Sequence, residues 1–125
     1  MIVGLGIDGV ELPRFERAAS RFGERLTRRL FTEAEQRYAA LRTRRGSESL
    51  AVRFAAKCAA RRALRDGALR WRDIEVVGAR GRAPELRFHG AAARRAAALG
   101  VVRSALTLSH DRSACVAHVV LEGEP

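Results

Sequence analysis

The order of apolar patterns along this chain predicts an α+β domain, with helices packed on a mostly antiparallel sheet. Three observations predict it. Residues 2–10, IVGLGIDGV, read as a buried strand. Helical periodicities then run from Pro13 to Asp66. The chain closes on two alternating segments, SALTLSH and ACVAHVVLE, joined by Asp111, Arg112 and Ser113, which is the pattern of an antiparallel hairpin. That order layers helices on a sheet.

In the first strand Gly4, Gly6 and Gly9 admit close approach of other backbone. Pro13 suits the first turn of a helix expected to run to about Leu30. Its apolar face is Phe15, Ala19, Phe22, Leu26 and Leu30. Beside that face Arg14, Arg17, Arg21, Arg25 and Arg28 form a basic edge, with only Glu16 and Glu24 near it, and this edge is expected to bind a partner. Thr32 begins the next helix, with Glu35 three residues on as a capping box. Gly46 and Ser47 break it, and a third helix spans about Glu48 to Asp66, stopped by Gly67. Residues 73–77 and 84–88 read as strands, with Gly78, Gly81 and Pro84 marking the turn between them. A short helix from Ala91 to Leu99 ends at Gly100.

At 125 residues and 47% hydrophobic content, residues 1–125 form a single domain able to bury its own core. The longest apolar runs are broken by Arg and fall short of the ~20 residues of a membrane span. Met1 to Leu5 leads to Asp8 without the basic start of a signal peptide. Cys58 and Cys115 make neither a disulfide framework nor a zinc spacing. A soluble, cytoplasmic protein is expected.

Twenty-four basic residues against fourteen acidic leave a net charge of +10. Such a surface attracts nucleic acid, a phosphorylated ligand or an acidic protein. Part of the charge is a compositional habit, because all but one of the basic residues are Arg. The exception is Lys57, which marks a place wanting a compact ammonium rather than a planar guanidinium. Nucleic acid is disfavoured: one Tyr, one Trp and five Phe, mostly at core-like positions, supply no stacking platform.

Three segments then converge on a family. Gly6-Ile7-Asp8-Gly9-Val10-Glu11-Leu12-Pro13-Arg14-Phe15 resembles the opening G-I-D-x-V-E-I-x-R of holo-acyl-carrier-protein synthases, which are 4′-phosphopantetheinyl transferases. Phe31 to Tyr38 resembles their F-T-x-x-E-x-x-Y helix start. Arg53-Phe54-Ala55-Ala56-Lys57-Cys58-Ala59 is similar to their R-[FW]-A-A-K-E-A helix in every position but one. Trp71 to Val76, Gly81 to Pro84 and Leu108-Ser109-His110-Asp111 agree as well, so the resemblance spans nearly the whole chain.

The resemblance implies a 4′-phosphopantetheinyl transferase-like fold and a transfer reaction. Phosphopantetheine passes from coenzyme A to a serine of an acidic acyl carrier protein, and adenosine 3′,5′-bisphosphate is released. It implies Mg²⁺ between the coenzyme A pyrophosphate and enzyme carboxylates, and a homotrimer with coenzyme A sites between subunits. Asp8 would be the metal ligand, since an acid in an apolar, Gly-rich strand is costly unless paired or bound. Lys57 would meet a phosphate, flanked by Arg53 and Arg61, and Arg62 stands where many relatives carry a Lys that contacts the ligand. Ser109 and His110 would face coenzyme A, and Gly81 and Pro84 would shape the loop under its adenine end. Asp8, Lys57 and His110 are the expected catalytic residues, and the arginine edge the carrier-protein surface. His89 and His118 read as structural, and Glu35 as a cap or a site residue.

Cys58 is the departure, standing where the family has the second metal-ligand glutamate. A thiol is a soft ligand and Mg²⁺ prefers hard oxygen. Three outcomes are open. Asp8, pyrophosphate and water hold the ion more loosely; another carboxylate, Glu35 first, takes over; or the chain is a degenerate homologue that binds coenzyme A or carrier protein without transferring anything.

Overall fold

The structure is a computed structural model and describes residues 1–41, 46–78 and 82–124. It opens with strand β1 (Ile2–Glu11), then helices α1 (Leu12–Phe22), α2 (Glu24–Leu30), α3 (Glu33–Ala40) and α4 (Gly46–Leu64). A 3₁₀ turn (Trp71–Asp73) leads into β2 (Ile74–Val77) and β3 (Glu85–Phe88), followed by α5 (Gly90–Ala98), β4 (Val101–His110) and β5 (Ala114–Gly123). The main sheet has the order β1-β5-β4, antiparallel throughout, and β2 pairs antiparallel with β3 in a second small sheet. The α+β expectation holds.

Helix α4 is the centre of the fold. Ala51, Ala55, Ala56, Ala59, Ala60, Ala63 and Leu64 are all fully buried, in one core with Cys115, Ala117, Val119 and Leu121 of β5. Small side chains let the helix lie close on the sheet. Close approach also explains two of the glycines: a Cβ at Gly6 would collide with the Ala59 carbonyl, and one at Gly4 with that of Ala63. The first strand therefore presents Asp8 directly to α4.

The expected single helix from Pro13 to Leu30 is two helices. Gly23 adopts φ 59 and ψ −138, a conformation open to glycine, and its N–H closes α1 on the Ala19 carbonyl at 2.8 Å. The break turns Phe22 out of the core, where it is 53% exposed with the Arg21 guanidinium 5.3 Å from its ring, while Phe15 and Leu30 stay buried. The third helix also differs, starting at Gly46 and ending at Leu64, after which Arg65 takes φ 54. Asp73 falls in the 3₁₀ turn rather than in β2.

The face of the main sheet away from α4 carries apolar side chains. Leu5 pairs with Val120, and Ile7 with His118; Leu5 and Ile7 are 61% and 53% exposed.

Candidate functional site

Alternation along β1 points Asp8 to the same side as Gly4 and Gly6, onto the C-terminal half of α4. There its Oδ2 accepts a hydrogen bond from Arg62 Nε at 2.9 Å, and its Oδ1 accepts the Gly9 N–H at 2.8 Å. Cys58 lies one helical turn before Arg62, so both face Asp8. The three line a cleft of about 380 Å³ with Arg61, Arg65, Asp66 and Trp71. The Arg61 guanidinium stacks 3.3 Å from the centre of the Trp71 ring and donates to the Leu69 carbonyl. Burial, and then the charge of Asp8, push the Cys58 thiol up to about 11 against the opposing pull of Arg61 and Arg62, so it is a neutral thiol near pH 7.

These donors can be tested against a magnesium ion. Mg²⁺ wants octahedral hard oxygen, from one or two carboxylates together with substrate phosphates and water. Here one position holds a neutral thiol, and the carboxylate facing it, Asp8, has both oxygens engaged, one of them by a cation. Among the described residues no three His, Cys, Asp or Glu side chains gather as a metal centre. Glu35 cannot substitute. It is 1% exposed, its Oε1 accepts from Lys57 Nζ (2.7 Å) and the Thr32 N–H (2.9 Å), and its Oε2 accepts from the Val76 N–H (3.0 Å). The residues present do not form a magnesium site. Glu35 is the capping-box residue, with the Thr32 hydroxyl accepting its N–H in return.

Lys57 corrects a second expectation. Its side chain is 0% exposed, and its three donors are taken by Glu35 Oε1, the Trp71 carbonyl at 3.0 Å and the Ile74 carbonyl at 2.6 Å. Burial pulls its pKa down, and the neighbouring Glu35 charge opposes that. A compact ammonium is wanted here, as the lone lysine suggested, but by Glu35 and two carbonyls rather than by a phosphate. Lys57 ties α4 to α3 and to the start of β2.

Arg53 is 7% exposed, its guanidinium 4.1 Å from the Tyr38 ring, and its Nη1 donates to Ser49 Oγ at 3.1 Å. A Cβ at Gly78 would sit 3.5 Å from Arg53 Nη2 and 4.0 Å from Pro84, so Arg53 and Pro84 flank one loop; Gly81 lies outside the described residues. His110 Nδ1 meets Glu48 Oε1 at 2.7 Å, and Ser109 beside it is exposed. Sequence reasoning missed Glu48, whose only signal was an acidic residue in the first turn of α4. Since β5 separates β1 from β4, and Asp8 and Leu108 both pair with Ala117, Asp8 and His110 are about 10 Å or more apart. One chain therefore holds two clusters, at opposite ends of α4.

His89 pairs with Glu75 at 3.0 Å. Burial pushes the Glu75 carboxyl up, but bonds from Thr32 and His89 outweigh it and hold it below the usual range. The five arginines are all exposed, Arg14, Arg17 and Arg21 on α1 and Arg25 and Arg28 on α2, with Arg28 bound to Glu24 at 3.1 Å. Next to them lies an apolar groove of about 460 Å³, lined by Val10, Arg14, Phe15, Leu26, Leu30 and Phe54 among others.

Residues 4–117 match the family model described as the 4′-phosphopantetheinyl transferase superfamily. The chain is 48% identical over 128 residues to the holo-[acyl-carrier-protein] synthase of Halorhodospira halophila, covering 97% of this chain and 98% of that one. It is similar to the solved holo-[acyl-carrier-protein] synthase of Neisseria meningitidis, with TM-score 0.88, 30% identity, and 98% and 99% of the two chains covered. It is also similar to the Bacillus anthracis holo-(acyl-carrier-protein) synthase solved in complex with CoA (3′,5′-ADP), with TM-score 0.79, 34% identity and 99% of each chain covered.

Proposed function

Since this chain belongs to the 4′-phosphopantetheinyl transferase superfamily, we infer that it is a holo-acyl-carrier-protein synthase. It moves 4′-phosphopantetheine from coenzyme A to a serine of an acyl carrier protein. The observation that carries the chemistry is the cleft in which Arg62, held by Asp8, stands with Arg61 and Arg65.

Phosphoryl transfer rests on positioning and on neutralising charge at the phosphate oxygens. The serine Oγ attacks the phosphorus that bears the pantetheine arm, and an O–P bond forms. The bond from that phosphorus to the bridging oxygen breaks, and adenosine 3′,5′-bisphosphate leaves with the electron pair. The serine proton passes to the Asp8 carboxylate or through it to water. Arg61, Arg62 and Arg65 hold the diphosphate, as planar donors matched to phosphate oxygens. Magnesium enters no step, because the donors at Asp8 and Cys58 do not form its site.

The two clusters on α4 support a site shared between copies. Glu48 and Cys58 are ten residues apart in sequence, about 15 Å along the helix. Coenzyme A lies with its diphosphate in one subunit's Asp8 cleft and its adenine end against Arg53, Pro84, Ser109 and His110 of the next. The apolar outer face of the main sheet, with Leu5 and Ile7, supports a homotrimer. The acidic carrier protein docks on Arg14, Arg17, Arg21, Arg25 and Arg28, with the neighbouring groove taking its apolar residues. Among the described residues no helix is long and apolar enough to cross a membrane; the cytoplasm is the proposed place of action.

The test is to incubate the protein with coenzyme A and an apo carrier protein and weigh the carrier by mass spectrometry. One added phosphopantetheine, absent when the acceptor serine is replaced by alanine, is the expected result. An unmodified carrier together with tight coenzyme A binding identifies the non-transferring homologue instead, the alternative that Cys58 raises.

A further inference from the structure

We infer that Arg62 takes the place of a divalent cation in this enzyme: anchored on Asp8, its guanidinium receives the coenzyme A diphosphate, and transfer needs no metal ion. The inference rests on the transferase reading above and deepens it.

The geometry gives a cation already seated on the one carboxylate that a metal would use. Asp8 takes Arg62 through Nε alone, at 2.9 Å. The side chain is 66% exposed, so its two terminal nitrogens remain available to a ligand in the cleft. Two parallel N–H donors in a plane suit two phosphate oxygens, and the guanidinium stays charged at every working pH. A metal at Asp8 would have to displace this group and then sit beside it at like charge.

Charge arithmetic points the same way. The cleft is lined by three guanidiniums (Arg61, Arg62 and Arg65) and two carboxylates (Asp8 and Asp66), a surplus of one positive charge. A glutamate at position 58 would cancel that surplus. Cys58 leaves it standing, and in the free enzyme nothing among the lining residues opposes it. The loss of a carboxylate and the presence of Arg62 thus compensate each other: the site discards a ligand for the metal and keeps a positive charge for the phosphates. Arginine supplies such charge to phosphoryl transfer elsewhere without metal ligation of its own.

The experiment uses the full chain stripped with EDTA. Coenzyme A binding is measured by calorimetry and transfer by carrier mass, each with and without added Mg²⁺. The expected result is a Kd and a rate that change by less than about threefold on adding Mg²⁺, well short of the tenfold that 1.4 kcal/mol represents. Arg62→Met, with its melting temperature checked against wild type, should weaken coenzyme A binding by about tenfold or more, the loss of a charged hydrogen-bonding pair. Cys58→Glu should behave oppositely to wild type, with coenzyme A affinity that rises when Mg²⁺ is supplied. The inference is overturned if wild-type affinity or rate rises by about tenfold or more with Mg²⁺, or if Arg62→Met binds coenzyme A as wild type does. Absence of transfer under both conditions overturns the transferase reading instead, and the calorimetry then decides the role of Arg62 in binding.

Discussion

Lys57 Nζ and Glu35 Oε1 meet at 2.7 Å with both side chains wholly excluded from solvent. The pair joins residues 22 apart in sequence, and its remaining donors and acceptors go to the backbone of Thr32, Trp71, Ile74 and Val76. Removing one member leaves a buried charge without its partner, which costs roughly 3–5 kcal/mol. Lys57→Met should therefore lower stability by about that much in urea unfolding. A phosphate ligand would give the opposite pattern, with unchanged stability and lost coenzyme A affinity.

The sequence made much of this site legible, for physical reasons that can be named. Gly4 and Gly6 had to be small for α4 to approach, and the capping box at Thr32 and Glu35 is local chemistry that needs no tertiary knowledge. Asp8 stood out as an acid among apolar residues, and it faces α4. Other features depended on three-dimensional neighbours. A lysine's partner is not encoded by its own helix, so the expectation at Lys57 was a phosphate, whereas in the fold its ammonium meets Glu35. Gly23 is a single glycine inside a continuous helical pattern, and only its positive φ in the fold separates α1 from α2. The bond between Arg62 and Asp8 spans 54 residues of sequence and left no local signal.

The arginine edge predicts a salt-sensitive encounter. Arg14→Glu with Arg21→Glu should weaken carrier-protein binding at low ionic strength while leaving coenzyme A binding close to wild type, because these side chains lie on α1, apart from the cleft. Surface plasmon resonance across a salt series checks it. Equal carrier affinity for mutant and wild type at low salt would make the edge plain solvated surface.

Cys58 predicts a pH response. Its folded pKa is about 11 against an ordinary 9.0, so the native state holds its proton longer than the unfolded chain does. Below 9.0 both states carry the proton and the shift has no effect; as pH rises from 9.0 towards about 11 only the unfolded state releases it, so this contribution to stability falls. Alkylation followed by peptide mass mapping should show Cys58 reacting slowly near neutral pH, with a rate still climbing at the alkaline end of that window. A rate that has levelled off by pH 9.0 would contradict the buried, Asp8-facing thiol.

The outer sheet face predicts assembly. Leu5→Asp with Ile7→Asp puts two charges where apolar side chains are exposed at 61% and 53%. Light scattering should show a trimer for wild type and a smaller species for the double mutant, with transfer lost in parallel, as the proposed shared coenzyme A site requires. A monomeric wild type that transfers normally would show the site to be complete in one chain.

Asp8 anchors Arg62 and is the proposed acceptor of the serine proton, so its replacement bears on both halves of the mechanism. The measurement is the single-turnover rate of carrier-protein modification by Asp8→Asn, read by mass spectrometry beside the melting temperature of the same sample. Asn is nearly isosteric and still offers an oxygen to Arg62, so the fold should survive. The rate should fall by about a hundredfold or more, the scale of losing positioned charge and proton transfer together. A folded Asp8→Asn protein that modifies the carrier at the wild-type rate would contradict the assignment of this cleft as the active site.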